Sequence, residues 1–252
     1  MGEKGAGQRR IHVHGDAGHG STPYGKDFAI LKIGEVARRI AAAEPPVASN
    51  EIWEGFVKTF KFDPETEAAL IAGTGDYSKF GDLAAYAHAF SHTTIAETVL
   101  RAGGAINVLP SHAYLEMDIR PFPGQTQDEL DDFLREALGD LADEVEIEHL
   151  ITEDATQSST DTKLWHAIEA TSKEFFPDKD VVPVHATGGS DLRFARRMGG
   201  NAYGFAMHAE ARDMASANSQ LHSHDEHLYL EDLELTVRAY DSLVTRFLSS
   251  EK

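Results

Sequence analysis

The chain has 252 residues, with 23 Lys and Arg against 42 Asp and Glu, so its formal net charge is −19. This length suits one large domain or two ordinary ones, and 41% hydrophobic residues suffice for a buried core. The acidic excess argues against nucleic-acid and membrane partners, because both require basic surfaces. The lack of cysteine excludes disulfides and thiolate sites, and no apolar run reaches the roughly 18 residues of a membrane span. A cytoplasmic protein is expected, in which any metal is held by His and carboxylates.

The pattern of apolar and turn-forming residues up to about residue 154 predicts a sheet with helices on one face. In chain order the pattern predicts a strand (9–14), a helix ending before Pro45, helical pieces within 47–92, two paired strands (94–102 and 112–120), a helix capped by Thr126 and a strand (145–151). Leu115, Met117 and Ile119 alternate with charged residues, as in a strand with one buried face. This β-α-insert-β-β-α-β order is typical of an antiparallel sheet covered on one side.

The pattern changes after residue 155, and a domain boundary is expected within 152–160. The predicted elements are a helix (161–175), a strand (181–185), a short helix (191–198), a strand (202–207) and a long helix (230–248). Two strands are too few for a parallel sheet covered on both faces. This part is therefore expected to be a portion of a larger α/β domain.

A polar loop before the last helix has the densest cluster of possible metal ligands, His222, His224, Asp225, Glu226 and His227. Imidazole and carboxylate groups suit zinc or a similar divalent ion. The alternative is a solvated loop that caps the helix.

A second candidate is His19 in the sequence GHGSTP (18–23), where flanking glycines expose the imidazole as a hydrogen-bond donor to a substrate oxygen. A third is Asn107 with Arg120, since Asn can bind a carbonyl and Arg a carboxylate. The alternatives are an ordinary strand-to-helix turn for His19 and ion pairs with Asp118 or Glu116 for Arg120.

A fourth candidate is the glycine-rich turn Gly188-Gly189-Ser190, followed by Arg193. Such a turn between a strand and a helix can bind anions through its backbone N–H groups, or can be a routine connection. It lacks the pattern of a phosphate-binding loop.

The order of these segments resembles one family: the dinuclear zinc metallopeptidases that include acetylornithine deacetylase, succinyl-diaminopimelate desuccinylase, aminoacylases and carboxypeptidases. The resemblance rests on EKG (3–5), GHGSTP (18–23), GGAINVLPSHAYLEMDIRPFPG (103–124), GGSDLR (188–193), YGF (203–205) and HSHDEH (222–227). It implies an α/β protein in which residues 8–154, with a helical insert at 47–92, form a lid of four antiparallel strands and two helices. Residues 155–252 would be the incomplete C-terminal portion of a zinc-binding catalytic domain.

The resemblance also implies residue roles. His222 would be a zinc ligand, and His19 would steady the developing oxyanion in the active site of the partner subunit. The substrate would be held by Asn107, Arg120, Gly188, Gly189, Ser190 and Arg193. The family's HxD motif, bridging Asp and Glu-Glu pair have no counterpart before the lid.

The resulting expectation is a fragment of a metal-dependent amide hydrolase that acts on N-acyl amino acids or small peptides and is inactive alone. It would form a homodimer through the lid and contain substoichiometric zinc or cobalt, or none. A separate N-terminal half would complete it, unless the chain is truncated. The alternatives are a non-catalytic dimerisation or binding module and, less favoured, an autonomous metal binder that uses His222, His224 and His227.

Overall fold

The computed structural model describes residues 1–47, 50–220 and 224–249, and its internal contacts divide the chain into two units. The sheet unit comprises Lys4–Ala48 and His92–Ala155, and the helical unit comprises Met1–Glu3, Ser49–Ser91 and Thr156–Lys252. The strands are β1 (Gly2–Glu3), β2 (Ala6–His14), β3 (Gly18–His19), β4 (Thr94–Ala102), β5 (Val108–Leu109), β6 (His112–Arg120), β7 (Val145–Glu153), β8 (Thr156–Gln157) and β9 (His185–Ala186). The helices are α1 (Ala29–Ala42), α2 (Glu51–Lys58), α3 (Pro64–Ile71), α4 (Ala84–Ser91), α5 (Gln127–Leu138), α6 (Lys163–Phe175), α7 (Leu192–Arg197), α8 (Met214–Gln220) and α9 (Leu230–Ser249), with 3₁₀ helices at Tyr77–Leu83 and Gly139–Glu144.

The sheet unit is built on four antiparallel strands in the order β4-β6-β2-β7. Alternate residues of β2 and β6 are buried, and they form one apolar cluster with α1 and α5. In α5, Leu130, Leu134 and Leu138 recur every four residues and are fully buried, as on one face of a helix. The predicted α/β class, with its four-stranded sheet and two helices, is confirmed.

Local signals set the ends of α5. The Thr126 side chain accepts a hydrogen bond from the Glu129 backbone N–H at 3.2 Å, and the Glu129 carboxylate accepts one from the Thr126 N–H at 2.8 Å. This capping box satisfies two N–H groups that lack partners within the helix. Gly139 then ends the helix with φ of 59°, a conformation that glycine adopts without strain.

The helical unit packs α2, α4 and α6 around an aromatic cluster centred on Trp53, which is fully buried. Its strands are short, two residues each, and form a sheet in the order β8-β1-β9 with β1 and β9 parallel. Within the described ranges, no helix of either unit is long and apolar enough to cross a membrane.

Three sequence-based expectations about the helical unit differ from the structure. The strand predicted at 202–207 is wrong, and that at 181–185 is reduced to β9, which follows Pro183. The backbone of 202–207 bonds to side chains instead of a strand: Ala202 N–H donates to Ser158 Oγ at 3.0 Å and Met207 N–H to Thr236 Oγ1 at 3.0 Å. In addition, residues 49–91 lie with the C-terminal residues, whereas the sequence-based division placed the 47–92 insert in the lid.

Candidate functional site

In the sheet unit, His19 and Asn107 are brought together by a small two-stranded ribbon. Strands β3 and β5 pair antiparallel, with His19 opposite Val108. The Gly20 N–H donates to the Asn107 carbonyl at 2.8 Å, and a Cβ on Gly20 would lie only 3.3 Å from that oxygen. Glycine therefore permits the close approach of the two segments.

The neighbours of His19 decide which imidazole nitrogen is the donor. Nδ1 accepts a hydrogen bond from the Ser21 backbone N–H at 3.2 Å and lies 2.8 Å from Ser21 Oγ. In the neutral ring the proton is consequently on Nε2. The side chain is exposed, so Nε2–H can donate to the oxygen of a bound carbonyl.

Arg120 lies at the end of β6, opposite Thr94 of β4. Its Nε lies 2.9 Å from Asp118 Oδ1, and Gln8 Nε2 holds that oxygen at 2.7 Å. The ion pair between Arg120 and Asp118, considered as an alternative from the sequence, is thus present, whereas Glu116 pairs with Arg10 at 2.7 Å. Among the described residues, only the Nε group of Arg120 takes part in this ion pair. The two Nη groups are suited to bind a ligand carboxylate.

Lys4, next to this end of the sheet, was not singled out from the sequence. Only 3% of Lys4 is exposed, and its Nζ donates to Thr94 Oγ1 at 3.2 Å. Burial lowers the pKa of Lys4 to about 7; the charge of Arg120 acts in the same direction, and that of Asp118 opposes it. The EKG segment contained this residue, but nothing local in that segment indicates burial.

In the helical unit, the glycine-rich turn joins β9 to α7. A Cβ on Gly189 would lie 2.8 Å from Arg193 Nη1, so glycine makes room for the guanidinium group. The backbone N–H and the hydroxyl of Ser190 both donate to the buried Glu3 carboxylate. Gly188 and Gly189 are exposed, and the turn lines a cavity of about 560 Å³ together with Tyr86 and His185.

His185 is a second buried titratable residue that the sequence did not reveal. Its backbone carbonyl accepts a hydrogen bond from Tyr86 OH at 2.9 Å, and its ring contacts Phe90 edge to face. Burial lowers the pKa of its imidazole to about 4, and the positive charges of the Met1 amino group and Arg196 act in the same direction. It is therefore neutral around pH 7.

The residues singled out from the sequence thus fall into two groups. His19, Asn107 and Arg120 belong to the sheet unit, and Gly188, Gly189, Ser190 and Arg193 belong to the helical unit. The predicted metal ligand His222 lies outside the described residues. Among those that are described, no three His, Asp or Glu side chains come together as a metal ion requires.

Comparison with known proteins identifies relatives over much of the chain. A family model described as a peptidase dimerisation domain matches residues 1–146. The chain is 30% identical over 159 residues to the probable carboxypeptidase S-like 2 of Dictyostelium discoideum, which is 62% of this chain and 30% of that protein. It is 27% identical over 169 residues to the N-fatty-acyl-amino acid synthase/hydrolase PM20D1 of Xenopus tropicalis, which is 66% of this chain and 32% of that protein. The matched region is thus about a third of the length of these relatives.

Solved structures share the fold. The di-peptidase Dug1p of Saccharomyces cerevisiae aligns with a TM-score of 0.61 at 12% identity, covering 100% of this chain and 56% of that one. The M20 family metallo-carboxypeptidase Sso-CP2 of Sulfolobus solfataricus aligns with a TM-score of 0.55 at 16% identity, covering 79% and 56%. Because the dimerisation-domain model matches more than half of its residues, the chain belongs to the M20 peptidase family.

Proposed function

We propose that the chain serves as the lid and part of the catalytic domain of a metal-dependent hydrolase that cleaves amide bonds in N-acyl amino acids or small peptides. The observation that carries this proposal is the β3–β5 ribbon, which keeps His19 exposed with Nε2 as its donor, beside Asn107. Carboxypeptidase and fatty-acyl-amino acid hydrolase relatives support the substrate class.

The chemistry follows from the groups in each unit. His19 Nε2–H stabilises negative charge that develops on the amide oxygen, and the Asn107 amide binds the carbonyl before it reacts. The two Nη groups of Arg120 bind the substrate carboxylate in a bidentate manner. In the helical unit, the Gly188–Ser190 turn lines a cavity that we assign to substrate binding, with Arg193 as a further contact for a carboxylate.

Metal ions, when bound in such an enzyme, polarise the carbonyl and activate a water molecule. The described residues do not form a ligand set for such an ion, so we assign to them the binding of substrate and the stabilisation of the oxyanion by His19, and no metal ligand. His222 would join ligands from a further part of the catalytic domain, in the same or in another polypeptide. The exposed apolar side chains of α9 support this, because they offer a surface for that further part to cover: Leu230, Leu233, Val237, Tyr240, Val244 and Leu248.

Hydrolysis of N-acetylmethionine tests this function. We expect no turnover by the 252-residue chain alone with zinc or cobalt, substoichiometric metal in the purified chain, and turnover when an M20 N-terminal half is supplied. In the complemented enzyme, His19→Ala should retain metal and lose about a hundred- to a thousand-fold in rate, whereas His222→Ala should lose metal. Turnover by the chain alone would contradict the need for a further part. An unchanged rate after His19→Ala would contradict the role of the ribbon.

A non-catalytic dimerisation or binding module is the second candidate. It is favoured by the closed core of the sheet unit, which makes up most of the region matched by the dimerisation-domain model. This function predicts a stable dimer and no metal-dependent hydrolysis, even after complementation.

We further infer that the chain forms a homodimer through β4. The four-stranded sheet has two edge strands, β4 and β7, either of which could pair with a second copy. Strand β7 has three Glu and no Lys or Arg, so self-pairing would bring like charges together. Strand β4 balances Glu97 with Arg101, both exposed.

Light scattering at tens of micromolar should give the mass of a dimer. Arg101→Glu should weaken dimerisation about tenfold, because it makes β4 uniformly acidic. Arg135→Glu, at an exposed position of α5, changes the net charge equally and is the matched control. A monomer mass for the unchanged chain, or equal effects of both substitutions, would contradict pairing through β4.

A further inference from the structure

Glu3 is a buried carboxylate on β1 that contacts several segments of the helical unit. Only 2% of the residue is exposed. One of its oxygens, Oε2, accepts hydrogen bonds from both the backbone N–H and the hydroxyl of Ser190. The other, Oε1, accepts from Thr156 Oγ1 at 3.2 Å and lies 3.4 Å from Arg196 Nη1.

Arg196 supplies the charge that a buried carboxylate requires. Its side chain is 5% exposed, and its Nη2 and Nε donate to the Ala202 carbonyl at 2.8 and 3.1 Å. Its Nη1 also donates to Thr156 Oγ1 at 3.1 Å. A buried ion pair contributes little net stability, because desolvation offsets the attraction between its charges. What the Glu3–Arg196 pair provides is a fixed position for the groups that bond to it.

The Glu3–Arg196 pair fixes Ser190, which ends a glycine-rich turn that would otherwise be free to move. Gly188 and Gly189 have wide backbone freedom, and both are exposed. Ser190 follows them directly, and its Oγ also accepts the Leu192 N–H at 3.3 Å. Because the Ser190 hydroxyl donates its hydrogen bond to Glu3, its role is to hold the turn in place. The backbone of the two glycines then remains at the cavity to meet a ligand.

We propose that Glu3 is a positioning residue that holds the Gly188–Ser190 turn in the conformation that binds substrate. The identity of the ligand, an N-acyl amino acid, rests on the proposed function. The placement of the turn by Glu3 does not. Glu3 acts through Ser190 and does not itself contact the substrate.

Two measurements on the 252-residue chain test this role, with Thr156→Val as the control that removes another contact to the same carboxylate. The first is amide hydrogen exchange of residues 187–194. Glu3→Gln should accelerate exchange at Ser190 about tenfold or more, because a hydrogen bond to a charged acceptor is lost. Exchange in α6 and α9 should be unchanged, and Thr156→Val should leave Ser190 protected. Equal exchange at Ser190 with and without Glu3, or acceleration throughout the helical unit, would overturn the proposal.

The second measurement is equilibrium binding of N-acetylmethionine. Measured well below the melting temperature of each variant, Glu3→Gln should raise the Kd about tenfold and Thr156→Val should leave it unchanged. Equal Kd values despite a loosened turn would overturn the role in binding. Failure of the unchanged chain to bind the probe would contradict the proposed function, and the exchange at Ser190 would then still decide whether Glu3 positions the turn.

Discussion

The two units differ in where their exposed apolar side chains lie: those of the sheet unit are spread over loops, α1 and the outer strands, whereas six of those in the helical unit lie on α9. In the sheet unit, the buried faces of β2, β6, α1 and α5 meet in one closed cluster, and long strands bond to one another along their length. In the helical unit, the strands have two residues each, and α9 leaves Leu230 and Leu248 exposed at 81% and 60%. The helical unit nevertheless has the larger aromatic cluster. The exposed apolar side chains of α9 and the short strands, rather than core size, therefore distinguish the helical unit, and we expect it to open first in hydrogen exchange.

The largest effect should come from truncating the closed core. Leu134→Ala in α5 removes a fully buried side chain and should lower the free energy of unfolding by about 2–5 kcal/mol. Leu248→Ala, at an exposed position of α9, should change it by less than about 0.5 kcal/mol. Denaturant titration measures both. Equal losses for the two variants would mean that α9 is covered in solution and that the contrast between the units is wrong.

Acidification should affect the helical unit through His185. Burial lowers the pKa of His185 to about 4, below its usual 6.5, so between these values the unfolded chain binds more protons than the folded one. The free energy of unfolding therefore falls as the pH is lowered through this range, by up to about 3 kcal/mol. Denaturant titrations at several pH values measure the slope. His185→Phe should flatten it, and His166→Phe, at an exposed position of α6, is the control. A slope that survives His185→Phe would assign the effect to other groups.

Each unit has a helix that is capped by a threonine, so substitution of the two caps allows the stability of the units to be compared directly. Thr126 caps α5 in the sheet unit, and Thr162 caps α6 in the helical unit by accepting the Trp165 N–H at 3.0 Å. Replacing either by Ala should cost about 1 kcal/mol, because a helix N–H loses its partner. Hydrogen exchange resolved by segment should show each loss confined to its own unit. Losses shared by both units would indicate that they unfold together.

The smallest effect on stability, and the most direct test of coverage, concerns α9. Val237→Ser, at a position that is 60% exposed, should change the free energy of unfolding by less than about 0.5 kcal/mol. It should also reduce the binding of a fluorescent apolar dye, because it interrupts an exposed apolar surface. A destabilisation above about 1 kcal/mol, with unchanged dye binding, would show that this face is already covered.

The amino-acid sequence by itself determined those features that depend on neighbouring residues. Alternation in β6, four-residue spacing in α5 and the Thr126 cap each require contacts within one element or one face, so local pattern predicts them. The same reasoning predicted a strand at 202–207, where it was wrong. The hydrogen bonds of that segment go to Ser158 and Thr236, which no local pattern indicates.

The candidate site was only partly accessible from the sequence. Its residues were singled out by local motifs and by resemblance to a family, but their arrangement depends on pairings between distant segments. The tertiary structure decided that Gly20 meets Asn107 and that Glu3 holds Ser190. It also decided which ionisable groups are buried, Lys4 and His185 among them. A side chain becomes buried, or forms a long-range hydrogen bond, only when distant segments of the chain pack against it and exclude water. The residues that flank these side chains in the sequence therefore predict neither property.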